Sequence, residues 1–302
     1  MRDKLLRAFL PLLCLGAVAC VPASAGAVTV GVSDNGAAMF GSSWFKALHI
    51  KQARLLVSWD IAVNKARRTE LTGARTWLQA ASEDGVAPLI DFQAAPGAAG
   101  NHIPSIKEYT AAVRAFIKDF PSVRQYVPWN EPDFNFRSLS KNPALAAGYF
   151  NVLVQNCHGC TIVAGDVYLD AAHLGAWLQK YKKGLRYRPS VWALHPYDDV
   201  QGHKTSQIQT MVKYIGRAQL WLTEISGVIT RGHWHGGILH QSAGKQGTDE
   251  KFLFSLPGRF HQITRIYHYQ WQGFKAAPWD SGLLDYNGNP RPAYYVVQKA
   301  AK

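Results

Sequence analysis

Short, nearly continuous apolar runs alternate along this chain with segments whose apolar positions recur every three or four residues. The runs are Val28–Asp34, Ala53–Trp59, Ala87–Phe92, Tyr126–Asn130, Thr161–Val167, Val191–His195, Leu220–Ile225 and Arg265–Gln270. Apolar character without strict alternation suits parallel strands covered on both faces. Between them, Ser105-Ile-Lys-Glu108 behind Pro104 predicts a capping box, and Tyr109, Val113, Phe116, Ile117 and Phe120 then fall on one helical face. Leu71–Ala81, Leu174–Tyr181 and Thr205–Ile215 read as helices in the same way, and Pro292–Ala301 as a closing helix. Eight strands, each followed by a helix, predict an α/β protein with a single (β/α)₈ TIM barrel. An open doubly wound sheet would want a Gly-rich turn after the first strand, which Ser33-Asp34-Asn35-Gly36 does not supply.

The amino terminus stands apart from this alternation. Arg2, Lys4 and Arg7 precede an apolar run from Ala8 to Val21, followed by Ala23-Ser24-Ala25, the three regions of a secretory signal peptide. A lipoprotein reading through Cys20 lacks the usual Leu three residues earlier and is set aside. The run is too short to span a membrane, and no later stretch approaches about 20 apolar residues. Cleavage after Ala25 removes 25 of the 302 residues and leaves 277, from position 26 to 302, a length that suits one barrel. It also removes three basic residues and one acid, lowering the net charge from +13 to +11. Two cysteines remain, Cys157 and Cys160, in C-H-G-C; an even pair in an exported chain reads first as a disulfide. A redox or zinc site with His158 is the rival, but zinc wants three or four ligands and no second Cys or His pair is placed for it.

In such a barrel, function sits where strands end. The predicted strand ends are polar or aromatic: Asp34, Trp59-Asp60, Asp91, Gln93, Asn130-Glu131, Asp166, His195, Tyr197, Glu224 and Gln270-Trp271. Glu131 follows strand four and Glu224 ends strand seven, which face each other across a closed barrel of eight. Two opposed carboxyls suit glycosidic bond cleavage, one protonated to release the leaving oxygen and the other ionised to attack carbon or activate water. A gap of about 5–5.5 Å gives retention of configuration, and roughly 6.5–9.5 Å gives inversion.

At these residues the chain resembles clan A of the glycoside hydrolases, the retaining (β/α)₈ group that includes families 5 and 39. The resemblance follows strand order through the whole mature chain. It implies Glu131 as acid/base, with Asn130 holding the sugar 2-hydroxyl, and Glu224 as nucleophile. Arg54 resembles the arginine that hydrogen-bonds the nucleophile. His195-Pro-Tyr197 resembles the His-x-Tyr of strand six, with Tyr197 on the nucleophile and His195 lining the site. Trp271 resembles the tryptophan flooring the subsite beside the scissile bond. Leu284-Asp-Tyr-Asn-Gly-Asn-Pro-Arg-Pro-Ala-Tyr294 resembles the usual run into the last helix. One departure stands after strand three, where family 5 often carries His and this chain reads Ile90-Asp91-Phe92-Gln93, so that Asp91 or Gln93 is expected to substitute.

The chain has 10 Trp, and sugar C–H faces stack on aromatic rings, so Trp44, Trp59, Trp129, Trp234 and Trp279 are expected as further subsite platforms, half of them as plain core. In Arg231-Gly-His-Trp-His-Gly-Gly237, His233 and His235 invite a metal reading; with no carboxylate nearby in sequence, a substrate-contacting or flexible loop is preferred. The positive charge first suggests nucleic acid, but export and dispersal of the basic residues argue against it. Lys180, Lys182, Lys183, Arg186 and Arg188 form the densest cluster, read as a solvated face or as attraction to an anionic wall or acidic glycan. The expectation is an exported monomeric enzyme acting on a β-linked glycan, with no metal, cofactor or nucleic acid. A transglycosylase on the same barrel and a catalytically silent carbohydrate-binding barrel are the alternatives.

Overall fold

The computed structural model describes residues 28–96, 102–134, 139–234, 237–275 and 278–302; the signal segment and Cys20 lie outside them. In chain order the elements are β1 (Thr29–Ser33), α1 (Ser43–Lys46), β2 (Gln52–Ser58), α2 (Arg68–Glu83), β3 (Ala87–Gln93), α3 (Ile106–Asp119), β4 (Gln125–Val127) and α4 (Pro143–Asn156). There follow β5 (Thr161–Val167), α5 (Ala171–Gly184), β6 (Val191–Leu194), α6 (Tyr197–Gln201), α7 (Ser206–Ile215), β7 (Gln219–Ile225), β8 (Thr230–Trp234), β9 (Gly237–His240), α8 (Ala243–Ser255), β10 (Ile263–Tyr269), β11 (Trp279–Asp280) and α9 (Pro292–Ala300).

β1 to β7 and β10 pair in parallel and close into a barrel in the order β1-β10-β7-β6-β5-β4-β3-β2. All eight predicted strands are present, so the fold is the (β/α)₈ barrel. Inside it, Leu89, Val127, Val163, Val191, Ala193, Trp221 and Tyr267 form a buried apolar plug, separate from the larger core between strands and helices. Tyr267 fits because Gly31 faces it: a Cβ there would lie 2.5 Å from the tyrosine ring. Above the plug the interior turns polar, and that upper layer belongs to the site.

The helices form where amphipathic spacing meets good caps. Ser105 Oγ accepts from the Glu108 backbone, and Glu108 Oε2 accepts from the Ser105 N–H at 2.8 Å, the predicted capping box that starts α3. α4 and α8 have no single apolar face to announce them. α4 buries eight residues, mostly Ala and other apolar side chains. α8 turns Gln246, Asp249 and Glu250 inward. Glu250 there accepts the Gly227 N–H at 2.9 Å and meets His268 Nδ1 at 2.8 Å, so its polar face pins the segment after β7 to the back of β10.

Where the sequence suggested a loop, Arg231–Trp234 and Gly237 belong instead to β8 and β9 of a three-stranded antiparallel sheet of order β11-β8-β9. His235 and the side chains of His233 and Trp234 lie outside what is described. Cys157 and Cys160, after α4, have their Sγ atoms at 1.98 Å. No helix among the described residues is long and apolar enough to cross a membrane.

Candidate active site

β4 ends at Val127, earlier than the sequence suggested, so Asn130 and Glu131 stand in the turn that follows. Glu131 has φ 46°, a left-handed backbone that costs a non-Gly residue about 1–3 kcal/mol. Its N–H donates to the Asp166 carbonyl at 3.1 Å. Asp166 is itself left-handed, at φ 61°, and follows Gly165 at φ 86°. The pairing of β5 with β6 shifts register between Gly165 and Val167. Such a bulge re-aims a side chain; here it places the Asp166 carboxylate among the buried groups of the upper barrel.

Three donor atoms, one each from Glu131, His195 and Glu224, lie within 4.8 Å of one another. Both glutamates keep 12% of their side chains exposed, whereas His195 has none. Tyr197 Oη donates to Glu224 Oε1 at 3.2 Å, and Arg54 Nη1 donates to Glu224 Oε2 at 2.7 Å. Glu131 Oε1 faces His195 Nδ1 at 3.1 Å, while Glu131 Oε2 has no hydrogen bond among the described residues. The other imidazole nitrogen, Nε2, faces Asp166 Oδ1 at 3.1 Å. With both imidazole nitrogens engaged and two donors on Glu224, a cation at this cluster would have to displace existing partners.

Below the pair, fully buried Arg54 ties the strands together. It donates to Asp91 Oδ2 at 2.8 Å, Asn130 Oδ1 at 2.8 Å and Ser33 Oγ at 2.9 Å, and reaches Asp166 Oδ2 at 3.5 Å. With its acceptor oxygen on Arg54, Asn130 is oriented with its amide NH₂ as the group left to donate. Burial works against the Arg54 charge, but Asp91, Asp166 and Glu224 outweigh it and raise its pKa. Burial, reinforced by Asp166, pushes Asp91 well above the carboxylate range. Burial also opposes Asp166 ionisation, but His195 and Arg54 prevail and hold its pKa below the ordinary value. Of these two acids, Asp91 therefore keeps a proton and Asp166 is the anion. Asp91 and Asp166 also share a side-chain hydrogen bond, which raises the pKa of the first and lowers that of the second. Asp91, named in the sequence as a substitute for the family histidine, lies fully buried within β3.

The aromatic residues distribute differently from expectation. Trp271 is buried, its ring edge-on to Phe45 with centroids 5.5 Å apart, and its backbone N–H donates to Asp34 Oδ2. Tyr269, two residues earlier, lies near enough to the site that the charges of Glu224, Asp34 and Glu131 add to burial in raising its hydroxyl pKa. Trp279, from the small sheet, meets Tyr197 edge-on at 4.9 Å and flanks Tyr269 at 6.3 Å. Trp129 is buried against Tyr149, and Trp59 is also buried, near His102, so the structure does not offer either as an open platform. Gln93 holds the Trp59 N–H through its backbone carbonyl. Trp44 is exposed but packs on Tyr294, in α9. Arg231 was passed over as a functional residue. It lies 5.5–5.7 Å from the rings of Tyr168, Tyr197 and Trp279 and 3.3 Å from Asp198. Burial lowers its pKa to about 9, opposed by the charge of Glu131.

A barrel whose rim carries two close glutamates, one clamped by Arg and Tyr and the other by His, is that of a glycosidase. Residues 81–296 match the model of the glycosyl hydrolase catalytic core, and the chain belongs to that family. Its fold is shared with clan A glycoside hydrolases. A GH10 endoxylanase from a sugarcane soil metagenome superposes with a TM-score of 0.62 at 11% identity, covering 90% of this chain and 96% of that one. A GH128 endo-β-1,3-glucanase from Amycolatopsis mediterranei, bound to laminaripentaose, gives 0.57 at 16%, covering 90% and 99%. An endo-β-1,4-glucanase from Xanthomonas axonopodis pv. citri gives 0.61 at 12%, covering 91% and 99%. Among curated protein sequences, none matches this chain.

Proposed function

We propose that this protein is an exported retaining glycoside hydrolase that cleaves a β-linked glycan by double displacement, with Glu224 as nucleophile and Glu131 as acid/base. The observation that carries the reading is proximity: a Glu131 oxygen and a Glu224 oxygen lie within 4.8 Å, a closest approach that suits the shorter carboxyl separation of about 5–5.5 Å. The donors then divide the roles. Glu224 accepts from both Arg54 and Tyr197, which suits a nucleophile; Glu131 keeps Oε2 clear for a proton in transit. Glu224 attacks the anomeric carbon while Glu131 gives its proton to the departing oxygen. Glu131 then takes a proton from water as that water displaces Glu224. With a sugar in place of water the same steps give transglycosylation, which product analysis at high substrate concentration separates.

The amino-terminal segment supports export, and the bonded Cys157–Cys160 pair agrees with an oxidising compartment. A groove of about 440 Å³ at the start of β6, lined by Lys182, Arg186, Tyr187 and Arg188 without a carboxylate, supports association with an acidic wall polymer. The test of function is a panel of nitrophenyl glycosides, xylan and β-1,3- and β-1,4-glucans, with product configuration followed by NMR. Retention is expected, together with a 2-deoxy-2-fluoroglycosyl adduct on Glu224. Inversion of configuration, or an adduct elsewhere, defeats the mechanism.

A further inference from the structure

Asp166 touches no part of the cleft that a substrate reaches, yet it is fixed to the acid/base by two routes. Its carbonyl accepts the Glu131 N–H at 3.1 Å. Its carboxylate faces His195 Nε2 at 3.1 Å, and His195 Nδ1 faces Glu131 Oε1 at 3.1 Å. Thr223 Oγ1 donates to the same Asp166 oxygen, and Arg54 stands at 3.5 Å from the other. Both ends of this contact, Glu131 and Asp166, hold left-handed backbones, strain of the kind that accompanies function.

We propose that Asp166 is the positioning residue of the acid/base: it keeps His195 charged and aimed, so that an imidazolium N–H rests on Glu131 Oε1 throughout the cycle. The inference rests on the acid/base role proposed for Glu131. Both nitrogens of His195 face carboxylates, so each has an acceptor, and imidazolium alone supplies two donors. The groups around it agree. Asp166 from β5 and Glu224 from β7 raise its pKa, and Glu131, from the turn after β4, faces its Nδ1; Asp133, from the same turn, is pushed up by burial to about 8 and adds its charge only above that; on its own side stands the neutral phenol of Tyr197, and Arg54 lies against Asp166. Burial alone would favour neutral imidazole, but the Asp166 charge is the first of the influences that overcome it.

The consequence is chemical. As the C–O bond to the leaving group breaks, the Glu131 Oε2 proton passes to that oxygen and negative charge appears on Glu131. The imidazolium N–H on Oε1 stabilises that charge without transferring its own proton. In the second half, Glu131 takes a proton from the attacking water and the original state returns. A poor leaving group depends on this help; an activated one does not.

Asp166→Asn keeps the shape and removes the charge. With His195 then free to lose its proton at lower pH, the imidazolium that favours the Glu131 anion is lost and the alkaline limb of kcat/KM moves to higher pH. For a glycoside with a poor leaving group, kcat/KM falls roughly 10–100-fold, while for a 2,4-dinitrophenyl glycoside glycosylation stays within about threefold. An unmoved or lowered alkaline limb, or equal loss for both leaving groups, overturns the proposal. A second measurement needs neither substrate nor a variant at Asp166. In ¹⁵N-histidine-labelled protein, with the signal assigned by His195→Gln, the wild-type His195 ring stays doubly protonated from about pH 6.5 to 8, where a free imidazole has lost its proton. A ring that titrates normally there overturns the inference. A protein that hydrolyses nothing but keeps this signature defeats the glycosidase mechanism and leaves the Asp166–His195 charge pair standing.

Discussion

Two arginines stand inside this barrel, one near each end, and they do different work. Arg54, in the upper layer, is fully buried and faces three acids, Asp91, Asp166 and Glu224. Arg265, at the lower end, faces neutral partners: Gln52 Oε1 at 2.9 Å, Gln125 and Tyr267, with its guanidinium 3.8 Å from the Trp221 ring centroid. The lower cluster is partly open to water, and its charge needs no counter-ion. The upper cluster must balance charge internally, because burying an unpaired ion costs far more than burying a pair. Residue type therefore does not separate structural from chemical arginine; the charge of the partners does. An acid-lined arginine fixes which carboxylates ionise, and so prepares chemistry. An amide- and ring-lined arginine closes the end of the barrel.

The sharpest test removes the chemistry and leaves the balance. Glu224→Ala is expected to abolish turnover, by at least about 10⁴-fold, with formate or azide partly restoring it. Arg54 keeps Asp91 and Asp166, so Tm changes little; a large drop in Tm would make Glu224 a structural counter-ion instead. Next in size, Arg54→Met leaves buried acids without a cation and should cost about 3–5 kcal/mol, roughly 10 °C in Tm, together with activity. Arg265→Met should cost only about 1–2 kcal/mol, the scale of hydrogen bonds to neutral groups, and leave kcat/KM within about threefold. Equal losses from the two substitutions would erase the distinction. Tyr197→Phe removes one of two donors to Glu224 and should lower kcat about 10–100-fold with little change in Tm, since its ring packing against Trp279 remains.

Much of the upper layer was legible in the sequence because a parallel barrel strand is apolar until it reaches the rim. Asn130, Glu131, His195, Tyr197 and Glu224 stand out where those runs stop, and Arg54 stands out as a charge inside one. Asp166 was visible as a polar strand end, but its part was not, because a bulge and two left-handed residues turn it inward and simple alternation cannot register them. Tyr269 and Trp271 differ by two positions on one strand end, and the apolar pattern does not tell which ring reaches the cleft. α8 was invisible for the opposite reason: its buried face is polar, so periodicity reads it as surface. The β8–β9 hairpin hides in Gly and His residues that carry no alternation.

The smallest expected effect separates the two arginine clusters by pH. His195 has its pKa raised by folding, against burial, by Asp166 above all. The native state then holds a proton that the unfolded chain loses near pH 6.5, so this contribution is complete below about pH 6.5 and is lost as pH rises through the folded value. Asp166 runs the other way: its lowered value gives stability above about pH 3.9 that disappears on acidification. These two contributions are both complete only between roughly pH 4 and 6.5. Raising the pH from 6.5 to 8.5 should lower the wild-type Tm more than that of Asp166→Asn, by about 2–4 °C for each pKa unit that the charge pair supplies. Arg265→Met, whose cluster has no partner titrating in this range, should keep the wild-type slope. Parallel slopes in all three proteins would mean that the Asp166–His195 charge pair contributes nothing to stability, and that the two ends of the barrel differ in chemistry alone.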